Sequence, residues 1–429
     1  MIPRRPWVAV ALAGLVACSS EEGTTSSSVS STVSSSATGG SSTSSGAGGA
    51  HDPGMPSDVY PAFHPTLPTL VKESGAVLTA PRIVPVYFAG DDAALTQGMT
   101  NFTAALGASS YWAAVATEYG VGAATATAPV ELAETADAHL DDADVQAWLA
   151  AKLDADDPAF PAPDANTIYL LVYPKGTTVT IEGATTCVDL GAYHNSTKLD
   201  AAHGGLDVPY AVIPRCGAFQ GLSGIDELTV AASHEILEAA TDPLPFEAPA
   251  FDTLDPDHAV WPIFTGNEVC DLCDASRSSY GKLPGFDFAV ERCWSNAAAS
   301  ALHDPCVPAN PATPYFNSAP VLPDTIHFSG LSFPGLIVPV GETRELEIDL
   351  FSEAKTSGPW TVTATDLVPS FGGAPELDLA LDRSTGVNGE KLWLSVTAKK
   401  KASSGFSIAV LLSKLGEQTG VWIIPIGNK

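Results

Sequence analysis

The chain predicts a mixed α/β domain followed by an all-β sandwich, and three observations carry that reading. Between residues 57 and 317, apolar runs long enough for buried strands alternate with stretches of helical periodicity. From residue 318 to 429 the helical patterns stop, and short strand-like runs between Gly, Pro and Ser turns remain. With 45% hydrophobic residues over 429 positions, each part has enough apolar side chain for its own core.

Residues 1–17 read as an export signal. Arg4 and Arg5 form a basic start, and Trp7 to Val16 is an apolar stretch well short of the ~20 residues that span a bilayer. It ends in Leu15-Val16-Ala17-Cys18, which resembles the bacterial lipobox. That resemblance implies cleavage before Cys18 and lipidation of that cysteine. Ser19, next in the chain, resembles lipoproteins passed on to the outer membrane. The expected membrane partner is therefore reached through a lipid anchor. Residues 18–56 are rich in Ser, Thr and Gly and cannot bury enough surface to offset their ordering entropy. They are expected to be a disordered tether, with a span of roughly 35 Å.

Charge narrows the partners. Twenty Lys and Arg face 49 Asp and Glu, a net charge of -29. This argues against nucleic acid, whose phosphates call for clustered basic residues. Solubility at a cell surface and cation binding both fit.

Within the α/β part, Pro81 to Phe88 reads as a buried strand closing at Gly90. Asp92 to Leu106 and Ser110 to Tyr119 read as helices, and Asp141-Asp142 begins another over Ala143 to Leu153. Thr167 to Tyr173 and Val208 to Pro214 are the next strands. Ser223-Gly224-Ile225-Asp226 fits a capping box with Ser223 as N-cap, so a helix should run from Glu227 to Thr241, where Pro243 stops it. In the last part, seven runs read as strands: Thr325 to Phe328, Leu346 to Leu350, Trp360 to Thr365, Leu377 to Leu381, Leu392 to Thr397, Phe406 to Leu412 and Val421 to Ile426. Their number and spacing predict an immunoglobulin-like sandwich.

Besides Cys18, the cysteines are Cys187, Cys216, Cys270, Cys273, Cys293 and Cys306. In an exported chain they read as three disulfides, with a zinc knot built on Cys270 and Cys273 as the alternative. Cys187 and Cys216 flank one strand and loop and form a natural pair, leaving the other four to staple the Glu268 to Asp274 stretch to the Cys293-Trp294 region.

The chemistry lies on the capped helix, in Ser233-His234-Glu235-Ile236-Leu237-Glu238-Ala239-Ala240-Thr241-Asp242-Pro243. At ~100° per residue, Glu238 lies about 40° from His234 and Asp242 about 80°, so all three point to one side. His at i and a carboxylate at i+4 let one helix offer two ligands to one cation. The pattern resembles the zincin metallopeptidase motif His-Glu-x-x-His, with Glu238 in place of the second histidine. The resemblance implies a zincin-like α/β domain, His234 and Glu238 as metal ligands, and Glu235 as general base. Residues from about His64 to Ala299 also resemble secreted bacterial proteins that carry a Ser-His-Glu…Glu-Ala-x-Thr-Asp-Pro segment. Gluzincin peptidases take a downstream Glu as third ligand, which points to Glu268, with Asp242 also in reach. Asp271, Asp274, His194 and His203 are rival donors. The implied cofactor is a divalent metal: zinc, or calcium because a carboxylate suits harder cations. The acidic loop from Asp252 to His258 offers oxygen ligands but lacks EF-hand spacing.

Two functions follow. One is a tethered metal-dependent hydrolase of peptidase type. The other is a non-catalytic surface-binding lipoprotein with a structural cation, binding glycan or protein. Gly-x-Ser-x-Gly does not occur, so serine-hydrolase chemistry has no support.

Overall fold

The computed structural model describes residues 51–310 and 313–428. The expected export signal, Cys18 and the expected tether up to residue 50 lie outside the described residues. Residues 51–56, expected in the tether, instead pack on the C-terminal part. Pro53 O accepts N–H groups from Lys391 (2.8 Å) and Arg383 (3.0 Å), and the His51 ring stacks on Trp393 at 4.1 Å. The segment His51-Asp52-Pro53-Gly54-Met55-Pro56 has left the Ser-rich composition, and the sandwich supplies it with fixed donors and an aromatic face.

The first part is built on a six-stranded sheet. Across it run Thr125–Ala126, Arg82–Tyr87, Thr167–Val172, Asp207–Ile213 and Tyr193–Lys198, with Val130–Glu131 also paired to Arg82–Tyr87. All pairs are parallel except the last, where Tyr193–Lys198 runs antiparallel along the edge. All six residues of Thr167–Val172 are buried, as expected for a strand covered on both faces. Period-two alternation divides its side chains. Ile168, Leu170 and Val172 join the core containing helices Ala93–Leu106 and Ile225–Thr241, while Tyr169 and Leu171 join helix Asp142–Asp154.

The expected helices form, each opened by an acceptor side chain at its start: Asp92, Ser109, and a capping box at Asp141. The helix Ile225–Thr241 ends where Pro243 requires. Its start differs from the expectation. Gly224 is the N-cap at φ +61°, a conformation that favours glycine, and no Ser223 side chain caps the helix.

The edge strand Tyr193–Lys198 was not expected, because Tyr-His-Asn-Ser-Thr-Lys has no apolar alternation. Its polar side chains are buried by pairing. Asp142, itself 6% exposed, accepts Tyr193 Oη–H (2.7 Å), Asn195 Nδ2–H (2.7 Å), Gln146 Nε2–H (2.7 Å) and the Tyr210 hydroxyl. Tyr193 and Asn195 therefore face helix Asp142–Asp154. His194 between them must face the opposite side, toward helix Ile225–Thr241.

The C-terminal part is a β-sandwich. One sheet orders Phe316–Pro320, Thr343–Ser352, Lys391–Ala398 and Leu377–Leu381, and the other Asp324–Phe328, Leu331–Val338, Gln418–Asn428, Ser407–Leu415, Trp360–Asp366 and Thr385–Gly386. The seven expected strands are present. Phe316–Pro320, Leu331–Val338 and the short Thr385–Gly386 are additional, Pro and Gly having hidden the first two, and Phe316–Pro320 begins the sandwich just before residue 318. Trp360, Phe316, Leu350 and Leu411 fill the space between the sheets.

The Asp142 latch carries a prediction. Asp142→Ala leaves two buried tyrosine hydroxyls and the side-chain amides of Asn195 and Gln146 without their acceptor. It should lower unfolding free energy by about 3 kcal/mol or more in urea denaturation. A change under about 0.5 kcal/mol would show that the edge strand needs no such latch.

Candidate metal centre

Helix Ile225–Thr241 presents His234, Glu235 and Glu238 beneath the sheet, and its apolar side, with Ile236, Leu237, Ala239 and Ala240, is fully buried. Two further elements close around these groups. One is the edge strand with His194. The other is the segment 266–274, which turns at Gly266 (φ +81°) against the carboxylate of Asp271. A Cβ at Gly266 would meet Asp271 Oδ2 at 2.2 Å, so the close approach needs glycine. Asp271 Oδ2 accepts the N–H groups of Asn267 (3.0 Å) and Glu268 (3.2 Å), setting the direction of Glu268.

The six cysteines form three disulfides, Cys187–Cys216, Cys270–Cys293 and Cys273–Cys306. The first is the expected natural pair, and the alternative of a zinc knot falls with the other two. Those two cross-links hold the 266–274 segment to the strands Cys293–Trp294 and Cys306–Val307.

Glu238 is the hub. It is 2% exposed; its Oε1 accepts Cys270 N–H at 3.0 Å, and its Oε2 lies 2.9 Å from His234 Nε2 and 3.9 Å from His194 Nδ1. On one side, ligand atoms of His194, Glu238 and Glu268 all lie within 4.8 Å of one another. His194 Nε2 is 3.4 Å from Glu268 Oε1 and 3.1 Å from the Asp242 carbonyl oxygen, and its Nδ1 is 3.5 Å from Glu235 Oε2. On the other side, His234 Nδ1 meets Glu291 Oε2 at 2.8 Å, and Asp274 completes a second such set with them.

The sequence-derived donors thus divide. Glu238 and Glu268 come together, but their histidine is His194, which had ranked only as a rival. His234, expected in the same set as Glu268, turns toward Glu291 instead. The helical angle shared with Glu238 does not decide which neighbours its ring meets. Asp242 is the C-cap; its Oδ1 accepts Ala250 N–H at 2.7 Å, so its side chain belongs to neither set. His203 lies elsewhere, at the surface with Asp154 (3.2 Å) and Asp200 (2.9 Å). Of the acidic loop, Asp255 bonds His258 at 2.9 Å and begins a short turn, whereas Asp252 lies near the hub. Asp252 belongs to the acidic loop that offers oxygen ligands, whereas Glu291 carries no sequence signal beyond its nearness to Cys293.

The electrostatics follow from burial. Loss of water pushes the Glu238 carboxyl up to about 7, with His234 holding it partly down. Burial, reinforced by Asp242, Glu73 and Asp271, likewise raises Asp252 to about 7. Glu268 and Asp274 are raised well above the usual carboxylate range by burial and then by neighbouring carboxylates. Burial also raises Glu291, against the pull of His234. For His234 burial opposes the charge, yet Glu238 and Glu291 outweigh it and lift the imidazole well above its ordinary value. Burial opposes charge on His194 too, and Glu235 and Glu238 reverse the balance.

The residues fit a cation. No hydrogen-bond donor among the described residues reaches the buried Glu268 Oε1 or Asp242 Oδ2. The set of one imidazole and two carboxylates is chemistry that binds zinc or a harder divalent ion.

No family model matches the chain, and no curated protein matches it. Among solved structures, domains 4 and 5 of the S-layer protein SbsC are similar at 14% identity and a TM-score of 0.17. That overlap covers 25% of this chain and 46% of that one, so this chain spans under half of that structure. The titin M3 domain is similar at 8% identity and a TM-score of 0.17, over 28% of this chain and 98% of that one. The twitchin kinase region from C. elegans is similar at 15% identity and a TM-score of 0.17, over 28% of this chain and 16% of that one. Overlaps at this score carry no argument, and the sandwich stands on its own strand pairing.

The raised pKa values set the sign of a pH dependence. Carboxyls whose folded pKa exceeds the unfolded value contribute stability below the unfolded pKa and lose it as pH rises through the folded one. Metal-stripped protein should therefore lose Tm from about pH 5 to about pH 8, as Glu238 and Asp252 ionise near 7. Divalent cations bind the ionised carboxylates, so the gap in Tm between loaded and stripped protein should widen over the same range. A gap constant with pH would place the bound cation elsewhere.

Proposed function

We propose that the protein is an exported, lipid-anchored metal-dependent hydrolase of peptidase type. The observation that carries this reading is the convergence of His194, Glu238 and Glu268 within 4.8 Å, with Glu235 beside them. His194, Glu238 and Glu268 would hold the cation, zinc or alternatively calcium. When bound, such a cation supplies Lewis-acid polarisation of a substrate carbonyl. The chain's own residues do the rest. Glu235 takes the proton of an attacking water and returns it to the leaving amine, as the general base of the His-Glu-x-x-Glu pattern. The parallel sheet with its antiparallel edge strand, set against the helix that bears the motif, supports a zincin-like reading of residues 57–317.

Three disulfides support a life outside the cytoplasm, where such bonds persist. No helix among the described residues is long and apolar enough to cross a membrane. Cys18 would then supply the attachment, at the outer membrane, through its lipid.

A second reading is favoured by the burial of the donors. His194 and Glu238 side chains are each only 3% exposed. A cation held that deeply serves stability without touching substrate, and the protein would bind glycan or protein without cleaving it.

Three variants separate the readings. His194→Ala and Glu268→Gln should each abolish or weaken cation binding by at least about 10-fold, measured by elemental analysis after dialysis. Glu235→Gln should keep the cation and lose about 100-fold or more of cleavage of an unfolded protein substrate. Unchanged cleavage in Glu235→Gln would remove Glu235 as the base, and a loaded parent that cleaves nothing would favour the structural cation.

A further inference from the structure

We propose that a second divalent cation binds beside the first, on His234, Asp274 and Glu291. Ligand atoms of these three residues lie within 4.8 Å of one another, and the set shares no residue with His194, Glu238 and Glu268. The inference rests on the proposed first cation only through their common neighbour, Glu238.

An independent observation points to a ligand there. Glu291 is 2% exposed, and its Oε1 has no hydrogen-bond donor among the described residues. A buried carboxylate oxygen left without a donor costs free energy that an adjacent cation would remove. Its other oxygen, Oε2, already lies 2.8 Å from His234 Nδ1. The group is thus oriented, buried and half satisfied.

The imidazole of His234 joins the two sets without belonging to the first. Its Nε2 lies 2.9 Å from Glu238 Oε2, which leaves Nδ1 on the side of Glu291 and Asp274. A neutral ring that donates Nε2–H to Glu238 offers Nδ1 to a cation, the usual pairing of a metal-binding histidine with a carboxylate behind it. Charge balance agrees. Each set holds two carboxylates, whose charge one divalent ion offsets.

The scaffold is built for precision. Tyr280 Oη–H donates to Asp274 Oδ1 at 2.7 Å, and the backbone N–H of Glu291 donates to Ser233 Oγ at 3.0 Å. Strands Tyr280–Lys282 and Ala289–Glu291 pair with each other, and Cys293 ties the second to Cys270. One imidazole with two carboxylates suits zinc or manganese more than an all-oxygen calcium site.

The test counts cations. Metal-stripped protein, titrated with Zn²⁺ and then dialysed, should retain two ions per chain by elemental mass spectrometry. Glu291→Gln and Asp274→Asn should each retain one, and so should Glu268→Gln. Circular dichroism melting checks that each variant folds. Because Asp274 and Glu291 sit on different segments, one variant decides if the other fails to fold. A parent that binds one ion, kept in Glu291→Gln and Asp274→Asn and lost in Glu268→Gln, overturns the second site and leaves the proposed function standing. A single ion lost in Glu291→Gln and kept in Glu268→Gln overturns both the pair and the first ligand set. No bound ion at all overturns both as well.

Discussion

Everything around the long helix depends on one constraint: carboxylates are gathered out of water with too few cations to match them. Glu235, Glu238, Asp242 and Glu291 are all buried, with Glu268, Asp271 and Asp274 close by, and the basic groups among them are the rings of His194 and His234. Isolated charges in such a place cost several kcal/mol each, so the site must take up protons or bind cations. The raised pKa values of Glu238, Glu268, Asp274 and Glu291 are the first answer, available when no ion is present. Divalent ions are the second. The fold maintains either state because the groups cannot relax apart: two disulfides, the Asp271 turn and the Asp142 latch hold three different segments against one helix.

Sequence periodicity made the frame of this site legible but not its partners. The strands Thr167–Val172 and Asp207–Ile213 are near-continuous apolar runs, and Pro243 marks the end of the helix, so both could be read directly. The angular step of the helix put His234 and Glu238 on one side correctly. What it could not supply was the set of groups across from them, because those arrive from distant segments. Tyr193–Lys198 escaped because its burial is achieved by hydrogen bonds to Asp142, which leave no hydrophobic pattern. Ser223 looked like a cap by residue type, yet Gly224 adopts the positive φ that starts the helix. The pairing Cys187–Cys216 followed from their flanking one strand and loop, whereas the other two disulfides needed the folded positions of four cysteines.

The sandwich has a closer relation to the site than a spacer would. Ser278 N–H donates to Glu417 O at 3.1 Å, and Thr419 N–H donates to Ser276 Oγ at 3.0 Å. Both bonds reach the stretch between Asp274 and Tyr280, the segment that aims Asp274. Trp422 of the sandwich also meets Trp261 edge to face at 5.5 Å, beside His258. Segment 51–63 adds a strap from the other end, since Asn388 Nδ2–H donates to Ser57 O (2.9 Å) and Val59 O (2.8 Å). Residues 51–63 and the sandwich therefore form one unit, and the sandwich braces the segment that carries Asp274. A loop carrying several repelling carboxylates would otherwise open toward water, where their charge costs little. Bracing from outside is what lets the charge stay buried until cations or protons neutralise it.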